Sequence, residues 1–224
     1  MSITLISSIS SLFAIAVISF FVSYTAFKKT GRTSADISFA NCWVAIGLTF
    51  FLMGLRTTFF GLGLPAFDKA IAYVVQVSLV FVIISIGHYS ITTSIKNKLK
   101  KSLLFFLIFL TSIAFLYLLV LFGLEEPLIS EWGSEYTASL PANILFGVIG
   151  VLGLFLLGLS FFKAKKFKNQ KEMIATGSLI LIIIFGTIEQ LGNVGWQILM
   201  IRVAILFSVL LAYSAYELDK YKIK

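Results

Sequence analysis

Charge is scarce in this chain of 224 residues: 12% of positions are Asp, Glu, Lys or Arg, against about a quarter in an ordinary soluble domain. A water-soluble globular domain is thereby excluded, and the remaining charges leave no room for a folded catalytic domain outside a membrane. Cysteine occurs once, as Cys42, so no internal disulfide can form; histidine occurs once, as His88, so no histidine pair can ligate one haem within the sequence. No nucleophile stands near a base. The expectation is a non-enzyme with no catalytic residues, no metal site and no cofactor. Proline is limited to Pro65, Pro127 and Pro141, all between apolar runs, so no run is broken internally. Unbroken helices favour a compact bundle over a rocking transporter. The first residues, Met1 to Leu5, carry no basic stretch ahead of their apolar run, which reads as an uncleaved first span.

Apolar residues make up 59% of the chain and the mean hydropathy is +1.01. Seven segments meet the roughly 17 to 25 residues a spanning helix needs, at about 3–27, 37–60, 69–94, 102–124, 142–162, 172–190 and 194–216. The runs are continuously apolar and do not alternate, so they predict helices and not barrel strands. The predicted class is all-α, a single polytopic seven-helix membrane domain covering residues 1–224.

Basic residues are unevenly placed. Lys28, Lys29 and Arg32 lie in the first connection, Lys96, Lys98, Lys100 and Lys101 in the third, Lys163, Lys165, Lys166, Lys168 and Lys171 in the fifth, and Lys220, Lys222 and Lys224 after the last span. The even connections are acidic, with Asp68, Glu125, Glu126, Glu131 and Glu135. The positive-inside rule then predicts the N-terminus outside and the C-terminus inside. The net charge of +8 is an orientation signal with attraction for anionic lipid headgroups, and no nucleic-acid partner is expected. The longest connection, residues 123–141, is an outer lid over the bundle or an amphipathic interfacial loop anchored by Trp132 and Tyr136.

Two helices carry small residues at helical spacing: Gly147, Gly150, Gly153 and Gly158 on the fifth, and Thr4, Ser7, Ser8 and Ser11 on the first. Both predict close approach of neighbouring backbones. His88 falls about 27 Å along the third span, near its cytoplasmic interface, and reads as a wet structural residue. Cys42 reads as a small packing residue, with lipid acylation as the alternative.

Ionisable residues inside spans are the most informative positions, because each costs about 2.5 to 3.5 kcal/mol to place near a helix centre. Helix rise puts Arg202 about 13 Å, Gln76 about 10 Å and Glu189 about 5 to 7 Å below the outer surface, with Arg56 in the last outer turn of the second span. A guanidinium fork suits a carboxylate, so Glu189 and Arg202 are expected to pair across the turn holding Gln190 and Asn193. One Glu cannot neutralise two Arg. The excess positive charge could meet an anionic ligand, an acidic residue of the outer connection, or headgroups. Arg56, Gln76, Glu189, Gln190, Asn193 and Arg202 are thus a candidate outward-facing ligand pocket, with Asn143, Trp196 and Gln197 at its rim. The alternative is a structural ion pair beside a snorkelling Arg56.

Retinal chemistry is excluded, since residues 193–216 contain no lysine for a Schiff base. The third span ends Ile86-Gly87-His88-Tyr89-Ser90, without the acidic-Arg motif of eukaryotic seven-helix receptors. The seventh has no Asn-Pro-x-x-Tyr. The small sugar transporters share the layout, yet their proline-bearing paired repeats are not visible. The apolar run from Arg202 to Glu217, entering a charged end, and Gly54-Leu55-Arg56 near the outer edge of the second span resemble the seven-helix membrane sensor regions of prokaryotic histidine kinases and related signalling proteins. That resemblance implies a prokaryotic plasma membrane and a receptor-like module signalling through its last helix. A separate membrane or cytoplasmic protein partner would be needed, since no kinase sequence follows within these residues. Rival readings are a small-solute transporter or channel, which predicts polar positions continuing to the inner face, and an assembly subunit of a larger membrane complex.

Overall fold

In the computed structural model, residues 1–28, 31–190 and 196–221 are described, the side chains of Gln190 and of 218–221 excepted. The chain forms α1 (Ile3–Lys28), α2 (Ser34–Gly61), α3 (Pro65–Ser94), α4 (Lys98–Phe122), β1 (Leu128–Ser130), β2 (Gly133–Glu135), α5 (Leu140–Lys166), α6 (Gln170–Gln190) and α7 (Trp196–Tyr221). All seven helices are long and apolar enough to cross a membrane. They outrun the predicted apolar segments mainly at their charged ends, because backbone hydrogen bonding continues past the apolar stretch that hydropathy detects. The expected all-α seven-helix architecture is present, and a short β1–β2 hairpin, whose strands of three residues each are too short for a hydropathy pattern to register, is added between α4 and α5.

Local chemistry explains the helix boundaries. Thr33 caps α2 through a capping box with Asp36, and the Asn97 side chain accepts from the first free amides of α4. Pro65 and Pro141 occupy the first turns of α3 and α5, where a missing N–H costs nothing. Gly123 ends α4 at φ +72° and turns the chain toward the hairpin.

Six helices close into a ring, in the order α1, α2, α3, α5, α6, α7 and back to α1, while α4 packs outside against α3 and α5. Accordingly α4 buries the stripe Ile108, Ser112, Phe115 and Leu119, half-buries Leu104, Leu116 and Leu118 beside it, and exposes its opposite face, with Leu103, Phe106 and Val120. The core runs through the ring, from Leu12 and Ile15 through Trp43 and Ile46 to Leu179 and Ile205.

Of the two helices expected to approach a neighbour closely, α1 does so, against α2. A Cβ on Gly47 would sit 3.0 Å from Phe20, one on Gly54 3.0 Å from Phe13, and one on Gly61 2.5 Å from Met1. These glycines recur every seven residues on one face. On α5 the expectation of glycine-mediated close packing is corrected: a Cβ on Gly147, Gly150 or Gly158 would meet nothing within 4 Å, and one on Gly153 only ordinary contact. The absent side chains leave space there.

Candidate functional site

One end of the ring carries the hairpin and the other the lysine-rich connections. At the hairpin end α2, α3, α6 and α7 each contribute an ionisable side chain. Arg202 is 1% exposed and donates from Nε to Glu189 Oε1 at 2.8 Å, so the expected pair forms. Its Nη1 also donates to Ser8 Oγ of α1 at 2.5 Å. Arg56 is 3% exposed and does not snorkel: its Nη2 donates to the Ser134 carbonyl at 2.6 Å and to Glu135 Oε2 at 3.0 Å.

The hairpin therefore supplies what the two arginines lack. Glu135 Oε2 meets Arg56 while its Oε1 lies 3.9 Å from Arg202 Nη2, so one carboxylate spans both guanidiniums. Asp68 adds a third carboxylate, 3.8 Å from Arg56 Nε, and accepts from Ser134 Oγ at 2.6 Å. The Asp68 to Arg56 gap is too long for a hydrogen bond and leaves Coulomb attraction alone. Two guanidiniums face three carboxylates, a formal balance of −1.

Of the three destinations the sequence offered for the excess positive charge, the arginines meet one, an acidic residue of the 123–141 connection. Trp132 and Tyr136 of that connection are buried, so it packs down on the end of the ring as a lid. Gly133, at φ +137°, lets the tip lie against Thr57, and Thr4 of α1 donates to the Glu131 carbonyl. Burial and the nearby Asp68 charge raise the Tyr136 phenol above its usual pKa.

The remaining predicted residues separate. Gln76 is buried on α3, two turns below Asp68 on the same helix face. Asn143 is exposed and donates to the Ala138 carbonyl, where it helps join the hairpin to α5. Trp196 and Gln197 are exposed at the start of α7. The Gln190 side chain and all of Asn193 lie outside the described residues. Sequence reasoning allowed for an acidic residue of the 123–141 connection without singling out Glu135, missed Asp68 and Ser134 as partners, and took Ser8 for packing alone. Asp68 and Glu135 stood out only as acidic residues of the even connections.

Beneath this network, inside the ring, lies a cavity of about 110 Å³ among α2, α3, α5 and α6, with Ile108 of α4 at its side. Its walls are apolar, Gly150, Gly153 and Gly186 widen it, and Thr187 and Glu189 stand at the hairpin end.

A second polar cluster lies at the lysine-rich end. Asp36 Oδ1 accepts from Lys171 Nζ at 2.5 Å and from the Tyr216 hydroxyl at 3.1 Å, and the Lys171 ammonium lies 4.1 Å from the Tyr216 ring centre. Nearby, Thr93 and Ser94 of α3 hydrogen-bond Ser160 of α5. His88 is exposed and bonds Ser38, and Cys42 is a buried packing residue that donates to the Ser38 carbonyl. Among the described residues, no three His, Cys, Asp or Glu side chains are grouped to hold a metal ion. No protein-family model matches the chain, and no curated protein matches it.

Proposed function

We propose that this protein is a non-catalytic, receptor-like sensor module of the plasma membrane, with the hairpin end outside and the lysine-rich end inside. The hairpin is its movable outer element, and α7 carries the signal to a separate protein partner. The observation that carries this reading is the Glu135 carboxylate spanning Arg56 of α2 and Arg202 of α7. A displacement of the hairpin alters the partners of both guanidiniums at once. The last helix is held at its other end too, where Tyr216 binds Asp36 of α2. Fourteen residues separate Arg202 from Tyr216, about 21 Å along the helix axis. A rigid helix held by polar contacts at both ends can occupy discrete positions, and a ligand or lipid that favours one hairpin position shifts their populations.

Orientation rests on the basic residues, which concentrate at the end opposite the hairpin. Resemblance to seven-helix sensor regions of histidine kinases supports the same direction of signalling. Because both arginines are already paired with protein carboxylates, a ligand acts by loosening or replacing these contacts rather than by filling an open cationic pocket.

Hydrogen exchange of wild type and Glu135→Gln in lipid nanodiscs tests the reading. Release of the bridge is expected to speed exchange in the hairpin and also at the Tyr213–Tyr221 end of α7. Faster exchange confined to the hairpin end would reduce the network to a structural clasp and favour the assembly-subunit reading.

A further inference from the structure

The cavity inside the ring has a shape and a polar end that together specify a ligand. On α5 its lining runs from Phe146 to Leu156, and on α6 from Ile182 to Glu189. Helix rise makes that a slot about 10 to 15 Å long. A volume of about 110 Å³ spread over such a length is narrow, suited to an unbranched alkyl chain and too thin for a fused-ring molecule. Its width comes from glycine: a Cβ on Gly150 or Gly186 would meet nothing within 4 Å.

At the hairpin end the wall changes character. Glu189 is 5% exposed and lines the slot, yet Arg202 takes only its Oε1. Among the described residues its Oε2 accepts no hydrogen bond. That oxygen is free to accept from a donor at this end of the slot, which Glu189 lines. The network to which it belongs has a formal balance of −1, so a donor that is also a cation suits it best. An alkyl chain gains little by leaving lipid for an equally apolar slot. Discrimination must therefore come from the head group.

We infer that the cavity binds a single unbranched alkyl chain whose head, a primary ammonium or, less favourably, a hydroxyl, donates to Glu189 Oε2. The chain lies along Gly150, Gly153 and Gly186 toward Gly87. Occupancy does not depend on the sensor reading; it rests on that reading only for its purpose, since a head group at Glu189 competes with Arg202 and so biases α7.

The test is photolabelling in phosphatidylcholine nanodiscs with dodecylamine carrying a diazirine near the chain terminus, mapped by peptide sequencing. Label is expected on slot residues such as Leu156 and Ile182. Gly186→Leu and, on the facing helix, Gly150→Leu each fill the slot and are expected to lower that label about tenfold. Gly158→Leu places the same side chain on α5 where a Cβ also meets nothing within 4 Å but outside the slot, and should leave labelling unchanged. Dodecylamine should compete better than dodecanol, and dodecanol better than dodecanoate. Label only on outward-facing residues, or label in both slot-filled variants as strong as in wild type, would overturn the site. Equal competition by dodecanoate would overturn the head-group assignment. Labelling needs no communication along α7, so intact labelling with a failed exchange experiment sinks the sensor reading alone.

Discussion

The two ends of the bundle solve the same problem, a buried carboxylate facing a cation, with different degrees of closure. At the lysine-rich end Asp36 meets Lys171, whose side chain is 18% exposed, on a long flexible stem. At the hairpin end Arg202 and Glu189 have side chains 1% and 3% exposed, and the ion pair continues through Glu135 to Arg56 and Asp68. A compact ammonium near water tolerates loss of its partner by rehydrating; a guanidinium inside the ring cannot. Loss of one partner should therefore cost little at the lysine-rich end and much at the hairpin end.

Removing one charge from each end is the strongest way to break the comparison. Arg202→Gln leaves Glu189 buried without its cation, and about 3 to 5 kcal/mol of stability should be lost. Replacing Glu189 with Gln as well should restore part of it, only part because Glu135 also faces Arg202. Lys171→Gln at the other end should cost about 1 kcal/mol or less. Thermal unfolding in one detergent measures all three. Equal losses for Arg202→Gln and Lys171→Gln, or identical behaviour of the single and double variants at the hairpin end, would show that the network is not closed in the way the distances suggest.

How much of this was legible in the sequence depended on how local the signal was. Seven continuous apolar runs located the seven helices, since spanning is a property of about twenty consecutive residues. Glu189 and Arg202 were readable as a pair because only a turn separates them. Glu135 and Ser8 were not, because they reach Arg202 from 67 and 194 residues away and no periodicity links a hairpin or a first-helix serine to a seventh helix. Small residues misled for a different reason: glycines at helical spacing look alike whether they admit a neighbouring helix, as Gly47, Gly54 and Gly61 do, or open a cavity, as Gly150 does. Asp36 closes the capping box of α2 with Thr33. Nothing local announced that the same carboxylate would hold Lys171 and Tyr216.

Two tyrosines sharpen the comparison at its smallest scale. Tyr216→Phe deletes the hydroxyl that donates to Asp36, and about 1 kcal/mol should be lost at neutral pH. Tyr136→Phe should show its effect at alkaline pH. Tyr136 lies in the 123–141 connection, where burial and Asp68 raise its phenol pKa. A group whose pKa is higher folded than unfolded contributes stability that is intact below the unfolded value, about 10, and is lost as pH rises through the folded one. Wild type should therefore lose hairpin stability above about pH 10 by an increment that Tyr136→Phe lacks, while lysine titration weakens both proteins alike. Melting curves of the two proteins across that range measure the difference. Parallel curves would mean that the phenol ionises as freely in the seated hairpin as in water, and that the lid opens at alkaline pH before Tyr136 titrates.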